Sequence, residues 1–158
     1  MIELVFADVD GVLTDGGMYY GSTGELLKRF NTRDGMGMRR LRDAGVHIVW
    51  ITQEDSDIVR VRATKLQVPC FTGIMDKAAK VREVCASMGI DLSASAYIGD
   101  DVNDIAAMQL VGIAAAPADA EEAVRVTVDV VCTRRGGEGA FREFAEYLLK
   151  EGKIAKNR

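Results

Sequence analysis

The residues of this chain best equipped for chemistry are carboxylates gathered just beyond apolar runs. Asp8 and Asp10 close the run IELVFA in FADVDGVLTDG, and Asp100, Asp101 and Asp104 follow SAYIG in YIGDDVNDIAAM. Carboxylates repel one another and are costly to desolvate. Such a gathering needs either a solvated edge or a cation. Asp is a good helix N-cap, which accounts for one such position but not for the whole set. A hard divalent cation such as Mg²⁺ accounts for it better, because it takes oxygen ligands and is held by one or two carboxylates together with a phosphate. The D-x-D spacing of Asp8 and Asp10 returns two side chains to one side of a strand. A carboxylate beside such a cation can attack phosphorus and form an aspartyl phosphate. A second carboxylate two residues on can protonate the leaving alcohol and then deprotonate the attacking water. Lys77, opening a helix in MDKAAKV, can set an ammonium beside a phosphate, with the helix dipole adding to it. Thr52 offers a hydroxyl and a backbone N–H at a strand end.

These residues must be carried by a common scaffold, and the apolar pattern supplies one. Residues 2–8, 46–52, 95–99, 111–116 and 128–132 are short runs rich in Val, Ile and Ala, bounded by Gly, Asp or Pro. Near-continuous runs of this kind suit parallel strands covered on both faces. Between them lie helical patterns: Val81, Val84, Cys85 and Met88; Phe141, Phe144, Ala145 and Leu148; and a segment over 55–66 opened by Asp55, Ser56 and Asp57. Gly45 and Gly89 fall where helices should stop. The expected fold is α/β, a Rossmann-like doubly wound parallel sheet whose strand ends gather the carboxylates. One segment breaks the alternation. Residues 16–30, GGMYYGSTGELLKRF, read as a protruding β-hairpin around the turn GSTG. An isolated hairpin is marginal in water and has open edges, so a neighbouring subunit is expected to cover it.

Composition narrows the class. At 158 residues, 48% hydrophobic and 28% charged, the chain fits one globular domain over 1–158, with a basic tail over 150–158 expected to fray. No window approaches the roughly 18 apolar residues that span a bilayer, and the N-terminus lacks a secretory pattern; a cytoplasmic protein without a membrane partner is expected. Cys70, Cys85 and Cys132 are odd in number, widely spaced and set in apolar runs, which suggests reduced core thiols. A net charge of −4 without a basic stripe excludes a general affinity for nucleic acid. An anionic substrate must therefore be held by local cations.

In this order and context the motifs resemble those of the haloacid dehalogenase superfamily of phosphotransferases over nearly the whole chain. DVDGV at 8–12 is similar to the first motif, Thr52 to the second, Lys77 to the third and GDDVND at 99–104 to the fourth. The resemblance implies Asp8 as nucleophile, Asp10 as general acid and base, and Thr52 and Lys77 on the phosphoryl group. It implies Mg²⁺ bound by Asp8, the Asp10 carbonyl and Asp100, with Asp101 and Asp104 supporting Lys77 or the metal waters. Members commonly carry an inserted cap. Here 41 residues separate Asp10 from Thr52 and 24 separate Thr52 from Lys77, which leaves no room for one.

VLTDGGMYYGSTGELLKRFNTRDGMGMRRL further resembles the capless tetrameric branch that hydrolyses 2-keto-3-deoxy sugar-acid phosphates, in which the hairpin builds the homotetramer and a neighbour closes the site. RRGGEGAFRE at 134–143 also matches, as a segment reaching a neighbour's site. The branch's substrate contacts map onto Asn31, Thr32, Arg33, Asp34, Gly35, Arg39 and Arg62. Enzymes of the branch acting on 3-deoxy-manno-octulosonate 8-phosphate typically read T-G-R at the second motif; this chain reads Thr52-Gln53-Glu54. Glu54 with Lys65 resembles the acid–base pair of relatives acting on 2-keto-3-deoxynononate 9-phosphate. Glu54 would repel a substrate carboxylate unless paired with Lys65. The nine-carbon ester is therefore the expected substrate, with the eight-carbon ester as the alternative and Gln53 left without a role. Two other classes compete. A receiver-type phospho-switch also combines acids, a hydroxyl residue, a lysine and Mg²⁺, but needs adjacent acids on its first strand and lacks GDD-x-x-D. A catalytically idle oligomerisation domain is set against the presence of every expected catalytic residue.

Overall fold

Leu4–Ala7 forms β1, a strand with no exposed residue, because its side chains are apolar on both sides. Alternate residues serve opposite faces. Val5 and Ala7 pack with Ile48, Trp50, Met38, Leu41, Phe141, Phe144 and Leu148; Leu4 and Phe6 pack with Val49, Ile51, Val81, Val84, Tyr97 and Ala114. The computed structural model describes residues 1–154. Around β1 lie β4 (His47–Ile51), β5 (Cys70–Phe71), β6 (Ser95–Ile98), β7 (Ile113–Ala116) and β8 (Val130–Val131). The order is β5-β4-β1-β6-β7-β8, and every pairing is parallel. The chain winds outward from β1 in one direction and from β6 in the other. A crevice therefore opens between the carboxyl ends of β1 and β6, where ligands of such sheets bind.

Helices cover both faces. α1 (Thr32–Asp43), α2 (Asp57–Leu66) and α6 (Ala140–Lys150) supply the first cluster; α3 (Lys77–Met88), α4 (Ile105–Met108) and α5 (Glu122–Arg125) supply the second. Fully burying Phe6, Phe141, Phe144 or Leu148 contributes about 1.5–3 kcal/mol each. The helix ends follow local chemistry. Asn31 caps α1 by accepting the Arg33 N–H at 2.9 Å, and Asp76 caps α3 by accepting the Ala79 N–H at 2.9 Å. Gly45 follows α1 and Gly89 ends α3, both with positive φ. α1 and α6 pack closely at Gly37, where a methyl group would crowd the Arg142 Cα.

The hairpin forms a separate two-stranded sheet, β2 (Tyr19–Gly21) and β3 (Gly24–Leu27). Its base is fixed by a Thr14–Phe30 bridge and by Phe30 stacking on Trp50 at 6.2 Å. Met18, Tyr19, Tyr20, Leu26 and Leu27 remain exposed. The tail departs from its expectation. The Ile2 N–H donates to the Lys153 carbonyl at 2.6 Å, and Ile154 is buried in a bridge to Ile2, so the chain is pinned through residue 154 instead of fraying from 150. Residues 155–158, the rest of that expectation, lie outside the described residues. Cys85 and Cys132 are buried, Cys70 half-buried, and all three are free thiols. No described helix is long and apolar enough to cross a membrane.

Candidate active site

At the crevice a cavity of about 320 Å³ is lined by Asp8, Asp10, Gly11, Gly16, Thr52, Gln53, Glu54, Lys77, Asp100, Asp101 and Asn103. Asp8 leaves the end of β1, Thr52 the end of β4, and Asp100 follows β6. Lys77 is the first residue of α3 and is almost wholly buried. Its ammonium lies 2.9 Å from Asp8 Oδ1 and 2.8 Å from Asp104 Oδ1. Asp104 is itself fully buried and outside the cavity wall. Its Oδ1 also accepts the Tyr97 hydroxyl at 2.8 Å, and its Oδ2 accepts the N–H groups of Asp100 and Asp101 at 3.1 and 3.3 Å. Both Asp104 oxygens are thus occupied, and the residue fixes Lys77 and the Asp100 turn together. Asp101 caps the short 3-10 turn Val102–Asp104 through a capping box with Asp104. Asp101 is thus the one capping position of the set, and Asp100 lines the cavity.

The site's electrostatics identify what is needed there. Burial pushes the Asp8 carboxyl well above its ordinary range, and Asp104 and Asp100 add to the push while Lys77 opposes it. Burial, then Asp104, push Asp100 up to about 7. Burial pulls the Lys77 ammonium down, but its pairs with Asp8 and Asp104 outweigh that and raise it. Oxygens of Asp8, Asp100 and Asp104 lie within 4.8 Å of one another. The cavity wall carries five carboxylates (Asp8, Asp10, Glu54, Asp100, Asp101) and a single ammonium. A phosphate dianion would be repelled from this wall without a further cation. The donors are all oxygens, with no Cys or His, which suits a hard cation such as Mg²⁺. Since Asp104 is committed elsewhere, Asp8 and Asp100 are the carboxylates that fit it. Gly11 takes φ +82 beside them, and a methyl there would collide with the Asp100 carboxylate.

Asp10 differs from Asp8. Its Oδ1 accepts the Lys28 ammonium at 2.8 Å and the Thr14 hydroxyl at 3.3 Å, while its Oδ2 is buried without a hydrogen-bond partner among the described residues. Lys28 also reaches Glu25 at 3.1 Å. Lys28 carried no signal in the sequence, because its place depends on how the hairpin folds back. Gln53 gains a role: its Oε1 accepts the Asn103 amide at 3.0 Å, tying the second-motif loop to the fourth-motif turn.

The expected substrate residues divide. Glu54 lines the cavity. Asn31, Asp34, Gly35 and Arg62 line a separate, nearly filled hollow with Phe30, Trp50 and Leu66. Within one chain they serve packing: Asp34 is buried and accepts the Arg142 N–H at 3.0 Å, and Arg62 lies 5.7 Å over the Phe30 ring. Thr32 and Arg33 are exposed on the first turn of α1, with Arg33 facing a basic cleft of about 630 Å³ shared with Arg40, Arg134 and Arg142. Arg39 is exposed and, among the described residues, pairs with Asp43 alone, at 3.9 Å. Glu54 precedes α2 and Lys65 sits exposed in its last turn, about 12 Å further along the axis from the helix start. One chain therefore does not pair them. The segment 134–139 folds against its own chain, with the Gly137 N–H donating to the Val12 carbonyl at 3.0 Å.

Comparison with known proteins places this geometry. The profile of the haloacid dehalogenase-like hydrolase family matches residues 53–142. A 3-deoxy-D-manno-octulosonate 8-phosphate phosphatase, KdsC, of Haemophilus influenzae is 39% identical over 150 residues, covering 94% of this chain and 83% of the relative. KdsC of Escherichia coli K12 is 36% identical over 155 residues, covering 97% and 82%. The cobalt-bound Haemophilus influenzae deoxy-D-mannose-octulosonate 8-phosphate phosphatase superposes with a TM-score of 0.92 at 39% identity, covering 96% of this chain and 90% of that one. The Moraxella catarrhalis phosphatase, solved in complex with magnesium, phosphate and KDO, gives 0.91 at 37%, covering 94% and 86%. The chain belongs to the haloacid dehalogenase-like hydrolase family, alongside its phosphatases.

Proposed function

We propose that the chain is a Mg²⁺-dependent phosphatase that hydrolyses a 2-keto-3-deoxy sugar-acid phosphate through an aspartyl phosphate on Asp8. The observation that carries this reading is the placement of the Asp8 carboxylate between Lys77 and Asp100 in a cavity open to solvent. Mg²⁺, held by Asp8, the Asp10 carbonyl and Asp100, would offset the charge of the carboxylates and of the phosphoryl group. An Asp8 oxygen attacks phosphorus while the bond to the sugar oxygen breaks. Asp10 gives its proton to that oxygen, so the sugar acid leaves as an alcohol. Asp10 then takes a proton from water, which attacks the aspartyl phosphate and frees phosphate. Lys77, held by Asp104, and Thr52 orient the phosphoryl oxygens.

The chain is proposed to act as a homotetramer joined through the hairpin, whose exposed Tyr19, Tyr20, Leu26 and Leu27 support that reading. Thr32, Arg33, Arg39 and Lys65, distant from their own cavity, would then contribute to a neighbour's. Asn31, Asp34, Gly35 and Arg62 would shape that surface from beneath. For the sugar, Glu54 in the cavity wall favours the nine-carbon 9-phosphate. The relatives' names favour the eight-carbon 8-phosphate as a second reading. Phosphate release from both esters, with Mg²⁺ and with a chelator, tests this. Faster release of the nine-carbon ester supports the first reading and faster release of the eight-carbon ester the second. Release that persists with chelator overturns metal dependence, and no release from either ester overturns the proposal.

A further inference from the structure

Lys28 is a hairpin residue whose side chain is fully enclosed, and its ammonium sits 2.8 Å from Asp10 Oδ1. The same ammonium is 3.1 Å from Glu25, whose other oxygen accepts the Ser56 hydroxyl at 3.4 Å. Ser56 is the residue before α2, in the loop that carries Thr52 to Glu54. A continuous polar chain thus runs from the second-motif loop through the hairpin to Asp10. At its end the two Asp10 oxygens are unequal: Oδ1 holds Lys28 and Thr14, and Oδ2 is buried without a hydrogen-bond partner among the described residues. A carboxyl group with free rotation would exchange its oxygens. This one is anchored by a charge-assisted hydrogen bond, stronger and more directional than a neutral one.

We propose that Lys28 is a positioning residue for Asp10: by holding Oδ1 it fixes the orientation of the carboxyl group that trades a proton with the leaving alcohol and with water. The assignment rests on the acid–base reading of Asp10 given above. It makes the seating of the hairpin, through Glu25 and Lys28, a condition for proton transfer. An ion pair that only stabilised the hairpin would change the amount of folded enzyme and would not distinguish one leaving group from another. Positioning of a general acid does distinguish them. An alkoxide must be protonated as it leaves, whereas p-nitrophenolate leaves with little help.

The test compares wild type, Lys28→Met, Lys28→Arg and Asp10→Asn, at saturating Mg²⁺, on the sugar-acid phosphate and on p-nitrophenyl phosphate. Both esters are assayed on one preparation, so their rate ratio does not depend on how much protein folds. In Lys28→Met, kcat on the sugar-acid phosphate is expected to fall about 10²-fold, the lower range for general acid–base catalysis, with a much smaller loss on p-nitrophenyl phosphate. Lys28→Arg is expected to restore most of the ratio. An equal loss on both esters, or no loss on either, in Lys28→Met overturns the positioning role while a selective loss in Asp10→Asn leaves the Asp10 reading intact. No selective loss in Asp10→Asn overturns both.

Discussion

Lys77 donates to Asp104 Oδ1 at 2.8 Å, and neither side chain is more than 1% exposed. This buried pair joins α3 to the turn after β6 and holds the ammonium against Asp8. The positive charge beside Asp8 is therefore fixed by packing and does not wait for substrate. Asp104 contributes no wall to the cavity, yet it orders Lys77, Tyr97 and the backbone of Asp100 and Asp101 at once.

Removing that ammonium leaves two buried carboxylates facing each other. Lys77→Met is expected to destabilise the metal-free protein by roughly 3–5 kcal/mol, the cost of breaking a buried pair. It should also lower kcat/KM by about 10²–10³. Denaturant unfolding in chelator and steady-state kinetics check both. Unchanged stability would contradict the pairing.

Metal binding should depend on pH with a definite sign. Asp100 sits at about 7 and Asp8 well above its ordinary value, burial being the largest cause for each. A cation must displace those protons, so Mg²⁺ affinity rises with pH. Calorimetric titration should give a dissociation constant that falls about tenfold or more per pH unit below about pH 7. Asp100→Asn should bind weakly and with a shallower slope. A flat profile in the wild type would exclude Asp8 and Asp100 as ligands.

Asp34 offers a test of stability far from the metal. Burial pushes its carboxyl up to about 6, against the Arg142 N–H and the charges of Arg134 and Arg62. Its pKa is higher folded than unfolded. The protonated form therefore stabilises the fold most below the unfolded value near 3.8, and that contribution is lost as pH rises to about 6. Asp34→Asn cannot lose it. The stability of Asp34→Asn relative to wild type should thus climb between about pH 4 and 6, by at most about 3 kcal/mol, and stay level above. Urea unfolding of both proteins across this range measures it. A difference independent of pH would refute the burial of an ionisable Asp34.

Sequence patterning carried the sheet and the central carboxylates well, for a physical reason. Strands covered on both faces must be apolar throughout, so β1, β4, β6 and β7 stand out, and the first polar residues after them fall at the crevice. Lys28 and Gln53 were silent because their partners, Asp10 and Asn103, lie across loop closures that no periodicity records. In NTRDG at 31–35, Asn31 also caps α1, and the Arg142 N–H that Asp34 accepts comes from 108 residues away, a contact no local pattern records. The basic tail likewise hid Ile154, whose bridge ties it to Ile2.

The central claim is that Asp8 becomes phosphorylated. Enzyme mixed with the sugar-acid phosphate and Mg²⁺, quenched in acid within the first turnover and mapped by peptide mass spectrometry, tests it directly. A phosphoryl group on the peptide holding Asp8, absent in Asp8→Asn, is the expected result. Phosphate release from Asp8→Asn at the wild-type rate, or a phosphoryl group on another residue, would contradict the account.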